Sequence, residues 1–276
     1  MSDIHSLMTK PEFPRSNRYD ATWVLDNQMG PNALWLAEWL CEEVKLEADT
    51  RVLDLGCGRA MTSIFLAKEF QARVWAADLW MSQDYTWRRI VEAGVADCVC
   101  PIRSEAHALP FAQRFFDAVV SIDAFHYFGT DELYLSYLGG FVRPGGTIGI
   151  AVPGLMQPFE GGVPAHLIDP QANGKRFWDD DCWSFKTADW WLDLWRRSSK
   201  VGNVRADTQP DGWRHWRDFE RALVVAGKNR FPSDLETLER DQGRYLGFIR
   251  VVATRTEASG MNLYDPSLGT RVGVDS

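Results

Sequence analysis

A chain of 276 residues with 38 acidic against 30 basic side chains, a formal net charge of −8, is long enough to bury a full core and has the wrong sign to attract a phosphate backbone. No run of Lys and Arg offsets that balance, which argues against nucleic acid as a partner, and no apolar stretch is long enough to span a bilayer. The five cysteines are odd in number and scattered without metal-ligand spacing, so neither a disulfide framework nor a metal site is expected, and a reducing cytoplasm is the natural compartment. The first residues are polar and proline-broken, unlike a secretory signal.

Residues 1–18, with Pro11 and Pro14, read as a flexible leader. From Pro31 to Val44 the apolar residues Leu34, Leu36, Ala37, Leu40, Cys41 and Val44 recur at helical spacing, with Pro31 suited to a first turn. Alternating units follow: strand 51–55, helix 60–70, strand 72–77, helix 83–93, strands 98–102 and 116–122, helix 131–140 and strand 146–152. Such alternation builds a parallel sheet with helices on both faces, an α/β doubly wound, Rossmann-like class. Gly161, Gly162, Pro164 and Pro170 then mark an irregular stretch of about 154–187, too long for an ordinary connection. Beyond it come a helix at 188–197, a strand at 201–207, helices at 213–228 and 234–243, and a final strand at 245–253. The reading is one domain over 19–255, with insertions at 154–187 and 210–243 and a flexible tail over 256–276.

The segment TRVLDLGCG carries the most specific signal. Val52, Leu53 and Leu55 suit a strand buried on both faces, and Gly56, Cys57 and Gly58 let the chain turn sharply beside a ligand. About twenty residues later Asp78 ends a second apolar segment, where a carboxylate can accept from both hydroxyls of a ribose. Dinucleotide enzymes and S-adenosylmethionine (AdoMet) methyltransferases share this plan. The dinucleotide form needs a third small residue, but Met61 stands there, and Asp54 would repel a pyrophosphate. A carboxylate at Asp54 suits the ammonium end of AdoMet instead.

In order and spacing, VLDLGCG, AADLW, SEAHALPF, FFDAVVSIDAFHYFG and FVRPGGTIGIAVP resemble the successive motifs of class I AdoMet-dependent methyltransferases of small-molecule type, phosphoethanolamine methyltransferases and cyclopropane synthases among them. The resemblance implies a seven-stranded, mostly parallel sheet with an antiparallel last strand inserted in a terminal hairpin. It also implies AdoMet as cofactor, with Asp54 on the methionine moiety, Asp78 on the ribose, Leu79 and Trp80 about the adenine, Glu105 with Ala106 at its amino edge, and Gly56, Cys57, Gly58 and Ile122 also in the cofactor site. Glu105 stands where the family more often has Asp.

The loop after the fourth strand is the place for chemistry, because ligands of such sheets bind beyond the carboxyl ends of strands. His126 resembles the histidine that several small-molecule members face to the reactive methyl, which makes it the leading general-base candidate. Packing of the loop is the alternative. Asp123 either bonds loop amides or meets the substrate, and Tyr127 is read as pocket wall. The stretch LDNQMGPNA lacks the tyrosine that partners this histidine in phosphoethanolamine enzymes, and Tyr19 serves only if the leader folds over the site.

Seven of the thirteen tryptophans fall between 178 and 216. Trp191 and Trp195 have the spacing of a packed helix face, whereas Trp178, Trp183 and Trp213 are candidates for an acceptor lid, with an apolar or cation-attracting pocket beneath. The expected activity is methyl transfer to a small-molecule acceptor, without nucleic acid, integral membrane association or metal. Cyclopropane-synthase-like modification of lipid acyl chains, a dinucleotide oxidoreductase and a non-catalytic AdoMet-binding role are the alternatives. Neither the acceptor nor the oligomeric state is written in the sequence.

Overall fold

The computed structural model describes residues 2–231 and 234–259. Seven strands form one sheet: β1 (Arg51–Leu55), β2 (Arg73–Asp78), β3 (Val99–Arg103), β4 (Phe116–Ile122), β5 (Val142–Leu155), β6 (Val201–Thr208) and β7 (Leu246–Arg255). Their order is β3-β2-β1-β4-β5-β7-β6. All pairings from β3 to β5 are parallel, and β7 runs antiparallel between β5 and β6. Val52, Leu53 and Leu55 are buried because β1 lies centrally with helices on both sides. The strand order reverses between β1 and β4, opening a crevice at their carboxyl ends.

The helices are α1 (Ser2–Met8), α2 (Ala21–Asn27), α3 (Ala33–Leu40), α4 (Met61–Phe70), α5 (Gln83–Glu92), α6 (Phe125–Phe128), α7 (Tyr134–Leu138), α8 (Ala165–Ile168), α9 (Ala188–Arg196), α10 (Gly212–Val225) and α11 (Asp234–Asp241). One apolar cluster joins α3, α4 and α10 to one sheet face, and a second joins α7 and α9 to the other. On α9, Thr187 caps the first turn by accepting from Trp190 N at 3.2 Å. Trp191 and Trp195 are fully buried against Phe125, their ring centroids 5.9 and 5.7 Å from its ring.

Two expectations change. The helix read over 131–140 shrinks to Tyr134–Leu138, and the following strand lengthens to Val142–Leu155, because the turn through Pro144 and Gly145 stays in register with the sheet. The leader is also packed, not loose. Phe13 is buried, stacked on Trp35 at 5.7 Å and edge-on to His215 at 5.0 Å. Glu38 accepts from Arg15 N, Ser16 N and Ser16 Oγ at 2.9, 2.7 and 2.7 Å, and Lys10 pairs with Asp218 of α10 at 2.6 Å. The proline-broken pattern hid this, since the anchors are single side chains without period. Tyr19 lies with Trp23 and Phe65 and reaches Glu69 at 3.4 Å.

The two insertions interlock. His166 of α8 bonds the Asp241 carboxylate at 2.8 Å, and Asp241 in turn accepts from Tyr245 N and Leu246 N at 3.0 and 2.9 Å. The tail beyond residue 259 lies outside the described residues. The five cysteines are free, and no helix among the described residues is long and apolar enough to cross a membrane.

Candidate functional site

Gly56 and Gly58 take φ of +77° and +51° after β1, a region costly for a side chain. Gly56 N and Cys57 N donate to Ala77 O at 2.8 and 3.1 Å, tying the turn to the end of β2. A Cβ on Gly56 would stand 2.4 Å from the Ala124 methyl, and one on Gly58 2.8 Å from Met29 Sδ. The turn is therefore bare by necessity. Asp78, closing β2, accepts from Gly58 N at 2.9 Å through Oδ2 and from Trp80 N and Met81 N at 2.8 and 3.0 Å through Oδ1. A carboxylate has about four lone-pair sites, so this one fixes the loop and keeps capacity for a hydroxyl donor.

These residues open on a recess of about 580 Å³, within the usual range for small-molecule sites. Gly56, Cys57, Gly58, Asp78, Leu79, Trp80, Glu105, Ala106, Ile122, Asp123 and Tyr127 all line it. Trp80 is 72% exposed and Leu79 46%, both standing at the rim. Glu105 accepts from His107 N at 2.9 Å and meets the His107 ring at 2.8 Å, which settles its longer side chain at the wall. Sequence reasoning missed the opposite wall, Met29, Gly30 and Pro31 before α3, together with Asp181 and Phe231 from the insertions. A glycine and a proline side by side were the available signal for a close approach.

Five of the expected site residues lie outside the recess wall. Asp54 does not line the recess. It is fully buried beneath the turn, where Oδ2 accepts from Thr62 and Ser63 hydroxyls at 2.5 and 2.6 Å, and burial lifts its carboxyl to about 6. It anchors the start of α4, because the side-chain alternation of β1 turns it into the core, and its Oδ1 has no hydrogen-bond partner. His126 is 1% exposed and absent from the wall; its ring lies 4.0 Å from the Tyr127 ring and 5.9 Å from that of Phe185. Desolvation depresses it to about 3, so the imidazole is neutral. Trp178 is buried among Phe159 and Phe185, and Trp183 packs on its outside, 64% exposed. Trp213 lies on the bare face of Gly243 beneath the guanidinium groups of Arg214 and Arg217. None of the three tryptophans reaches the recess.

Asp123 lines the recess. Its φ is +53°, its N–H is held by Ala151 O at 2.9 Å, and its carboxylate lies against Gly30, where a Cβ would fall 2.1 Å from Oδ2. Burial, reinforced by Asp234, pushes its carboxyl up to about 8. Among the described residues, Asp78, Glu105, Asp123 and Asp181 face the cavity against a single basic residue, Arg59, whose guanidinium is engaged by Asp26 O at 2.8 Å. Among the described residues no group of His, Cys, Asp and Glu is arranged to hold a metal ion.

Residues 52–146 match the family described as Methyltransferase domain. The "Probable fatty acid methyltransferase" of Pseudomonas putida is 36% identical over 112 residues, which is 40% of this chain and 28% of that protein. The chain therefore spans well under half the length of that relative. Phosphoethanolamine N-methyltransferase 2 of Haemonchus contortus, solved with S-adenosyl-L-methionine, superposes with a TM-score of 0.68 at 13% identity, over 92% of this chain and 60% of that one. Geranyl diphosphate C-methyltransferase of Streptomyces coelicolor A3(2) gives 0.65 at 14% identity, over 91% and 88%. Residues 52–146 thus match a methyltransferase domain model, and the chain as a whole shares the fold of these solved methyltransferases.

Proposed function

We propose that the recess binds AdoMet and that the chain transfers its methyl group to a small-molecule acceptor. The observation that carries this is the joining of the turn at Gly56 and Gly58, where an added Cβ would clash, to the Asp78 carboxylate on one wall of the recess. Asp78 would hold the ribose diol, Leu79, Trp80 and Ile122 the adenine, and Glu105 with Ala106 its amino edge. The sulfonium supplies an electrophilic methyl group. The chain's own contribution is alignment, which is worth about 7 to 11 kcal/mol when a nucleophile is held in line. We assign any proton removal to Asp123 and not to His126, since Asp123 borders the cavity and is titratable near neutrality while the neutral His126 ring is walled off behind Tyr127.

Acyl-chain modification is suggested by the name of the Pseudomonas relative. Against it, four acidic side chains on the wall disfavour a fatty carboxylate. Titration calorimetry with AdoMet, S-adenosylhomocysteine and NAD tests the cofactor reading. Micromolar binding of the first two, with no heat from NAD, is the expected result. Binding of NAD alone, or of none, overturns it.

A further inference from the structure

β6 closes the sheet on one side, with β7 as its one strand neighbour among the described residues. Gln209 N donates to Phe248 O at 3.0 Å, and in the same register Asp207 lies opposite Arg250 and Arg205 opposite Val252. Antiparallel pairs that exchange hydrogen bonds recur at every second residue. The backbone groups of Arg205, Asp207 and Gln209 therefore face β7. Those of Val204, Ala206 and Thr208 face outward, where no described residue hydrogen-bonds to them. A bulge between Gly202 and Arg205 bounds this open run at one end, and Pro210 follows it at the other.

The two faces of the edge differ. Val204 and Ala206 are half-buried and pack on the α9 side of the sheet. Arg205 and Asp207 stand on the α3 side with their side chains 67% and 52% exposed. Arg205 pairs with Glu43 at 2.6 Å, and Asp207 with Arg250 at 2.6 Å, whose guanidinium also donates to Trp39 O of α3. A hollow of about 400 Å³ flanks the edge, and Leu192 of α9 adds apolar surface to it beside Val204 and Ala206. In a chain of net charge −8 its lining sets Arg196, Arg205 and Arg250 against Glu43 and Asp207, so this face does not repel a copy of itself.

We propose that β6 is a self-pairing edge, on which a second copy of the chain docks antiparallel about a two-fold axis at Ala206, so that one sheet runs through the dimer. Such an axis sets Ala206 opposite its own equivalent and Val204 opposite the partner's Thr208. The outward N–H and C=O groups of those residues then satisfy each other. On the other face each Arg205 meets the partner's Asp207, giving two opposite-charge cross-strand pairs. An axis at Arg205 or at Asp207 would instead oppose like charges, so charge selects the register. The open run is short, which makes this a micromolar and not an obligate dimer. β6 lies three strands from β4, and the recess at the ends of β1 and β4 stays open.

The test is sedimentation velocity of the full chain across the micromolar range, with amide hydrogen exchange on the same samples. The expected result is a reversible passage from one to two chain masses, with exchange at Ala206 and Thr208 slowing as concentration rises. Ala206→Pro removes an outward N–H and spares the bonds to β7; Arg205→Glu turns both opposite-charge pairs into like-charge ones. Each should weaken the dimer at least about tenfold, while Arg205→Lys retains it. Arg205→Glu, at an exposed side chain, carries the test alone if Ala206→Pro fails to fold. A chain that stays monomeric throughout overturns the proposal, as does a dimer that Arg205→Glu leaves as tight as before. Protection of Ala206 and Thr208 that is independent of concentration means cover from within the same chain and overturns it equally.

Discussion

Asp78 shows how one side chain can serve two levels at once, closing the glycine turn by accepting from Gly58 N and presenting its remaining lone pairs to the recess. Asp78→Ala should weaken AdoMet by about 1 to 3 kcal/mol, the cost of losing a charge-assisted bond; isothermal calorimetry reads it directly. Asp123 and His126, three residues apart, separate just as clearly. Asp123→Asn should lower kcat by ~10²- to 10⁴-fold, the range for a positioned acid or base. His126→Phe, which keeps the ring contacts and removes two unpartnered nitrogens, should leave kcat within tenfold and the melting temperature unchanged or higher. Steady-state rates and calorimetric melting of both variants check the assignment.

The raised Asp123 carboxyl also fixes two pH trends of opposite direction. Activity that needs its anionic form should climb between pH 7 and about 8. Stability should move the other way, because the folded chain retains a proton that an unfolded aspartate has already released. Between the ordinary aspartate value of 3.8 and about 8 unfolding therefore becomes easier as pH rises, by up to about 1.4 kcal/mol per pH unit. Melting curves of the parent and of Asp123→Asn across that window should diverge, with the variant flatter.

At the scale of elements, the site is made by the turn joining β1 to α4 and by the loop before α3 that folds over it. Gly56 is closely overlaid, at φ +77° with the Ala124 methyl 2.4 Å from any added Cβ. Gly56→Ala should cost on the order of 1 to 3 kcal/mol of stability through strain at that φ and abolish measurable AdoMet binding, as melting and calorimetry together would show. The position of Gly30 against Asp123 makes the same point from the other wall. Local backbone freedom here sets the shape of a cavity that no single element encloses.

For the molecule as a whole, the unexpected member is the leader. Met8 and Phe13 are buried, and Lys10 and Arg15 tie this segment to α10 and to the end of α4 through Asp218 and Glu69 O. Burying two large apolar side chains contributes roughly 3 to 6 kcal/mol. Deleting residues 1–18 should therefore lower the melting temperature by ~6 to 12 °C or more.

The alternating apolar segments, the D-x-G-x-G turn and the acid at the end of β2 were all legible in the sequence, since each depends on neighbours within a few residues and on periods set by strand and helix geometry. The sheet and most of the residues that line the recess followed from them. Tertiary structure alone decided which way Asp54 and His126 point, that Trp213 packs outward on Gly243, and that Gly30, Asp181 and Phe231 complete the cavity. Those outcomes rest on contacts between residues far apart along the chain, in connections without a repeating pattern, where burial is fixed by whichever segment arrives to cover a surface.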